Sequence, residues 1–173
     1  MANHRMFNGL DIFGKTTPVP TIVESLNTII RGMLRTTYAY ADDQPQAVFL
    51  YIQLTDDSTS MDSLFQLDGQ LFEVDTLNDA PGRHYYDVSQ ERQNRLQQFY
   101  AQDVHEKLLP LFKHSRRMIP SEIWASFDVE KNCLNLRLGY RFGGILPSPH
   151  DGLQQWKQEL ENPLPAPWNQ KYV

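Results

Sequence analysis

The chain has 173 residues, 40% hydrophobic and 21% charged, with three Trp, eight Tyr and nine Phe and a formal net charge of −5. A chain of this size removes roughly 70% of its unfolded surface from water, so it builds an ordinary core, and the composition excludes a disordered polymer. The acidic balance argues against direct binding of nucleic acid or an anionic membrane, whose phosphates call for clustered Lys and Arg.

One domain over residues 1–173 is expected, without an internal repeat or a dividing linker. The single Cys133 rules out an internal disulfide, no apolar run approaches the roughly 20 residues of a membrane span, and Asn8, Gly9 and Asp11 interrupt any signal-peptide core. A cytoplasmic location is the expectation.

Residues 1–20 mix Met6, Phe7, Leu10, Ile12 and Phe13 with Gly and Pro and read as an irregular arm. Thr21-Ile22-Val23-Glu24 matches a capping box, and Ile22, Leu26, Ile29, Ile30, Met33 and Leu34 follow at helical spacing, predicting a helix to about Arg35. Val48–Leu54 is rich in β-branched and aromatic residues and predicts a strand. Met61–Leu67 and Gln70–Asp75 flank Asp68-Gly69, which suits the positive φ angles of a type I′ turn. That hairpin sets Leu67 opposite Gln70, Phe65 opposite Phe72 and Ser63 opposite Val74, with Phe65, Leu67, Phe72 and Val74 sharing one face.

After a loop around Pro81-Gly82, Asp87 or Ser89 caps a helix that carries Leu96, Phe99, Tyr100, Val104, Leu108, Leu111 and Phe112, with a kink near Leu109 because Pro110 follows. Ile123, Ala125, Phe127 and Val129 alternate, as do Leu134, Leu136, Leu138 and Tyr140. A four-residue loop Glu130–Cys133 between them would place Val129 opposite Leu134. Gly143-Gly144 begins a turn, and a last helix from about Pro149 to Glu161 carries Leu153, Trp156 and Leu160 ahead of an extended Pro-rich tail at 162–173. The order α-β-β-β-α-β-β-α predicts an α+β fold, a mainly antiparallel five-stranded sheet with helices packed on one side.

The segment Asp42–Asp79 stands out within this layout. It holds nine carboxylates (Asp42, Asp43, Asp56, Asp57, Asp62, Asp68, Glu73, Asp75 and Asp79), and no Lys or Arg falls between Arg35 and Arg83. Ordinary solvated surfaces mix the two signs, so a one-signed sheet surface points to a cationic partner, although charges on an edge hairpin also serve to keep it soluble. The expected interface comprises Asp42, Asp43, Asp56, Asp57, Asp62, Glu73, Asp75 and Asp79, with Asp56, Asp57, Asp62, Glu73 and Asp75 steering and Tyr51, Leu64 and Leu71 as apolar anchors.

Other chemistry finds weaker support. The five histidines (His4, His84, His105, His114 and His150) lie on separate segments with no metal-ligand spacing, and Asp56–Ser60 lacks the glycine and the closing carboxylate of a calcium loop. Cys133 has no base beside it and reads as a structural thiol, and no Gly-rich phosphate loop or nucleophile elbow is present. Arg116-Arg117 complements a helix end. No cofactor, metal or catalytic residue is expected.

The strand Trp124-Ala125-Ser126-Phe127, the strand Leu134-Asn135-Leu136-Arg137-Leu138-Gly139-Tyr140 and the helix bearing Trp156 resemble the end of the YezG-like immunity (antitoxin) proteins. The first helix, the Val48–Leu54 strand and the helix ending Leu108-Leu109-Pro110-Leu111-Phe112 fit the same layout. The resemblance implies a small acidic cytosolic binder, not an enzyme, that neutralises a cognate toxin protein, commonly a basic nuclease. Two alternatives stay open: a small-molecule-binding domain or enzyme with a site between helices and sheet, and a homodimer or larger homo-oligomer using Tyr85-Tyr86 and Trp168.

Overall fold

A computed structural model describes residues 20–55, 57–141 and 145–163, and the first helix opens in it as its sequence directs. The Glu24 amide donates to the Thr21 hydroxyl at 3.2 Å and the Thr21 amide donates to the Glu24 carboxylate at 2.7 Å, satisfying two amides that a helix N-terminus leaves orphaned. Helix α1, Ile22–Tyr40, continues past Arg35 through residues of modest helix propensity. Tertiary contacts hold that extension: the Thr37 hydroxyl lies 2.6 Å from the buried Tyr100 hydroxyl, and Tyr40 stacks on Phe65.

Among the described residues there are five strands, β1 Ala47–Leu54, β2 Thr59–Leu67, β3 Gln70–Glu73, β4 Glu122–Asp128 and β5 Cys133–Gly139. They form one sheet in the order β3-β2-β1-β4-β5 with every neighbouring pair antiparallel. The α+β class, the strand count and the element order are those the sequence predicts. Asp68 and Gly69 both take positive φ, 49° and 77°, and set Leu67 opposite Gln70 and Phe65 opposite Phe72, as a type I′ turn requires. The ladder ends at Leu64 opposite Glu73, so the expected Ser63–Val74 pair does not form.

The β4–β5 hairpin corrects the predicted register. Asp128 stands opposite Cys133 and Phe127 opposite Leu134, which leaves Val129–Asn132 as the loop. Asp128 decides this, because its carboxylate accepts the Lys131 amide at 2.9 Å and the Lys131 ammonium at 2.8 Å, and Asn132 takes the left-handed φ of 49° that asparagine tolerates. Both registers keep the leucines of β5 on the same face as Phe127.

Helix α2, Gln90–Asp103, is capped by Ser89 and runs through a π turn, Val104–Leu108, into α3, Leu109–His114. Pro110 has no amide to offer the preceding turn and its ring crowds that turn's carbonyl. The helix widens there, with the Leu109 amide reaching back to the Val104 carbonyl, and the expected kink takes the form of a π bulge. Helices α1, α2 and α3 cover one face of the sheet, where Leu26, Ile30, Met33, Tyr100 and Leu108 pack on Val48, Leu50, Ile52 and Phe65.

Helix α4, Pro149–Glu161, occupies the range the sequence assigns it but lies on the opposite face, burying Leu153 and Trp156 against Phe49, Tyr51 and Leu64. The expectation of helices on one side therefore holds for the first three and not for the last. The cause is in β1, which is buried along its whole length and apolar on both faces, so a single layer of helices could cover only half of it. No described helix is long and apolar enough to cross a membrane. The expected irregular arm up to residue 19 and the Pro-rich tail from residue 164, together with Asp56, Gly143-Gly144 and Trp168, lie outside the described residues.

Candidate partner-binding site

The fold distributes the acidic stretch over several places. Asp42, just past α1 with φ of 52°, is bonded by the Arg92 guanidinium at 2.8 Å and by the His84 ring at 3.0 Å. Partial burial works against its charge, but Arg92 and His84 together hold its carboxyl below the usual range. Asp43 is exposed beside it, Asp57 is exposed in the β1–β2 loop, Asp68 is at the hairpin tip and Asp79 is exposed in a short 3₁₀ turn, Leu77–Asp79.

Three of the predicted steering residues do come together. Asp62 on β2, Glu73 at the end of β3 and Asp75 just after it line one cleft of about 180 Å³ with Ser63, Gln93 of α2 and His150 of α4. Glu73 is held from above by α4, accepting from Gln154 at 2.8 Å and from Lys157 at 3.4 Å. Asp62 and Asp75 have no ion-pair partner among the described residues. Burial raises the Asp62 carboxyl above its ordinary pKa, Glu73 and Asp75 push the same way, and His150 opposes them. An arriving ammonium or guanidinium would remove that penalty.

The three anchors are placed differently from the sequence expectation. Tyr51 and Leu64 are 1% and 0% exposed beneath α4, and Leu71 is half-buried against the same cluster. Tyr51 and Leu64 hold the last helix and are not available to a partner, whereas Leu71 keeps part of its surface in solvent. The Tyr51 hydroxyl donates to Glu122 at 2.8 Å, and Arg141 closes the network with its Nε at 2.9 Å from the other Glu122 oxygen. Burial, then the Glu122 carboxylate, pushes the Tyr51 phenol far up from its ordinary pKa. Gln53 reaches the Pro147 carbonyl at 3.0 Å and ties the segment before α4 to the sheet.

Sequence reasoning missed Gln93, His150, Gln154 and Lys157 as neighbours of the acids. Ser148-Pro149 with Asp151 is a readable helix start, since the Asp151 amide donates to the Ser148 hydroxyl at 3.2 Å. It places His150 in the first turn but says nothing of which sheet face that turn meets.

The remaining candidates stay apart. His84 serves Asp42, His114 sits 2.7 Å from the Pro110 carbonyl, and Cys133 is exposed at a strand start. Among the described residues no cluster of His, Cys, Asp and Glu could hold a metal ion. Arg116 and Arg117 lie in the turn after α3, their amides closing on the Lys113 and Phe112 carbonyls. Tyr85 is exposed but Tyr86 is buried, so the two do not form one surface patch. The chain matches no protein-family model and no curated protein.

Proposed function

We propose that this protein is an immunity-type binder that neutralises a basic, nuclease-like toxin protein, and that the cleft of Asp62, Glu73 and Asp75 receives a lysine or arginine of that partner. The observation that carries the reading is the convergence of these three carboxylates at one opening, where Glu73 meets Lys157 and, among the described residues, Asp62 and Asp75 meet no ion-pair partner. Two uncompensated acids side by side, one of them half-buried, cost stability, and a cationic partner repays that cost on binding. Asp79 and Asp43 add to the long-range field that steers a basic protein inward.

The test is capture from the native cell with the wild-type chain and with the triple variant Asp62→Asn, Glu73→Gln, Asp75→Lys, which removes the charges without burying a cation, as baits. The expected result is a basic protein that only the wild type retains, that is toxic when expressed alone, and that the wild-type chain neutralises on co-expression. If the two baits retain the same proteins, these residues are not the interface.

A small-molecule site is the second reading, and one observation favours it. A larger cavity of about 500 Å³ lies at the C-terminal end of β1, between α3 and the sheet, lined by Leu54, Thr55, Lys113, Ile119, Arg141 and Leu146 among others. That volume falls within the ~300–1,000 Å³ of ligand pockets. Its described lining contains no carboxylate or histidine for acid–base chemistry, and Arg141 is already engaged by Glu122. A thermal-shift screen of small anions and amphiphiles that moves the wild type but not Lys113→Glu would support this reading.

A further inference from the structure

Strand β5 ends the sheet and pairs only with β4 among the described residues. The Leu54 amide donates to the Ser121 carbonyl at 2.8 Å, so on β4 the residues in phase with Ser121 (Ile123, Ala125, Phe127) address β1, and those between them address β5. Opposite the latter stand Cys133, Asn135, Arg137 and Gly139, whose amides and carbonyls face inward to β4. The amides and carbonyls of Leu134, Leu136 and Leu138 therefore lie along the outer edge.

Proteins ordinarily blunt such an edge with Lys, Pro or a bulge. β5 contains neither residue, its register with β4 is unbroken, and its one charged side chain, Arg137, is folded back over the Trp124 ring at 4.1 Å, toward Glu159 at 3.3 Å. At the opposite edge β3 is only four residues long. The side chains of Leu134, Leu136 and Leu138 point to the α1 side, where they stay half-buried and continue into a shallow apolar groove that includes Ile22, Val23 and Tyr140.

We propose that a second copy of this chain pairs along β5, antiparallel about a two-fold axis at Leu136, so that the two sheets become one. The strand is self-complementary in this register. Leu136 meets its own counterpart, Leu134 meets the partner's Leu138, and on the other face Asn135 meets the partner's Arg137. Moving the axis to Arg137 would set two guanidinium groups face to face, and moving it to Asn135 would set Leu138 against Asn132 of the turn. The cleft of Asp62, Glu73 and Asp75 lies toward the β3 edge, at the far side of the strand order, so pairing at β5 leaves it open.

Analytical ultracentrifugation of the full chain from submicromolar to hundreds of micromolar tests this, with a monomer–dimer equilibrium expected. Asn135 is exposed, so changing its charge reports on the register without touching the core. Asn135→Asp places a carboxylate opposite the partner's Arg137 twice per dimer and should tighten the dissociation constant about fivefold; Asn135→Arg should loosen it by a similar factor. Leu136→Lys brings two ammonium groups together at the axis and should give a monomer with an unchanged circular dichroism spectrum. A wild-type chain that stays monomeric throughout, or a dimer indifferent to both Asn135 variants, overturns the proposal.

Discussion

Gly152 of α4 lies against the hydroxyl end of Tyr51 so closely that a Cβ on the glycine would come within 2.8 Å of the Tyr51 Cζ. This contact is where the last helix docks on the sheet. Glycine to alanine inside a helix ordinarily gains about 1 kcal/mol, whereas forcing a methyl into a packed contact costs about 1–3 kcal/mol. Tyr51 cannot swing aside, because it is buried and its hydroxyl is bonded to Glu122. Gly152→Ala is therefore expected to destabilise the protein by up to about 2 kcal/mol in urea denaturation. Combined with Tyr51→Phe it should cost less than the two single changes added, since removing the hydroxyl relieves part of the overlap that the new methyl creates.

The network beyond that tyrosine separates two outcomes. Glu122 is buried and is held by Arg141, whose side chain is partly in solvent. Arg141→Ala strands a buried carboxylate and should cost about 3–5 kcal/mol. Glu122→Ala leaves an arginine that can rehydrate and one buried Tyr51 hydroxyl without its acceptor, which should cost about 1–3 kcal/mol. Denaturant midpoints in that order would support the account, and the reverse order would count against Arg141 as the compensating charge.

Two aspartates of the acidic stretch should respond to pH with opposite signs. The folded-state pKa of Asp42 is depressed, so its contribution is present above the unfolded value of about 3.9 and is lost as pH falls through the lower folded value. The folded-state pKa of Asp62 is raised, so its ionisation costs the native state, and stability is lost as pH rises through that raised value. Asp42→Asn, at a φ of 52° that asparagine accepts, should lower the melting temperature at pH 7, and Asp62→Asn should raise it. The Asp62 difference should close as the pH falls through that raised value to about 3.9, whereas the Asp42 difference should close only below it.

Most of this fold was legible because its signals are local. The Thr21/Glu24 capping box, the Asp68-Gly69 turn and the α4 span from Pro149 to Glu161 each depend on a few neighbouring residues. The candidate site was less legible because it depends on layering. Both faces of β1 are apolar, and Phe49 and Tyr51 beside Val48, Leu50 and Ile52 already call for a cover on each side. Read as a one-sided sheet, that pattern turned Tyr51 and Leu64 into exposed anchors; read as a two-sided one, it predicts that a helix lands on them. The pairing of Asp42 with Arg92 and of Glu73 with Lys157 was out of reach, since 50 and 84 residues of chain separate the partners.

If the acidic cleft docks a basic protein, Asp75 gives the cleanest measurement of it. Glu73→Lys would place a second ammonium beside Lys157 and loosen α4, and Asp62→Lys would bury a cation, so both disturb the fold as well as the surface. Asp75 is exposed and has no ion-pair partner among the described residues, so Asp75→Lys changes the field while leaving the packing alone. With the captured partner in hand, stopped-flow or surface-plasmon kinetics should show a several-fold slower association at low salt and a dissociation rate changed less. The two association rates should converge as added salt shortens the screening length from about 30 Å at 0.01 M to about 8 Å at 0.15 M. An association rate that is insensitive both to Asp75→Lys and to salt would mean that the carboxylates at the β3 edge do not steer the encounter, and their place in the interface would be withdrawn.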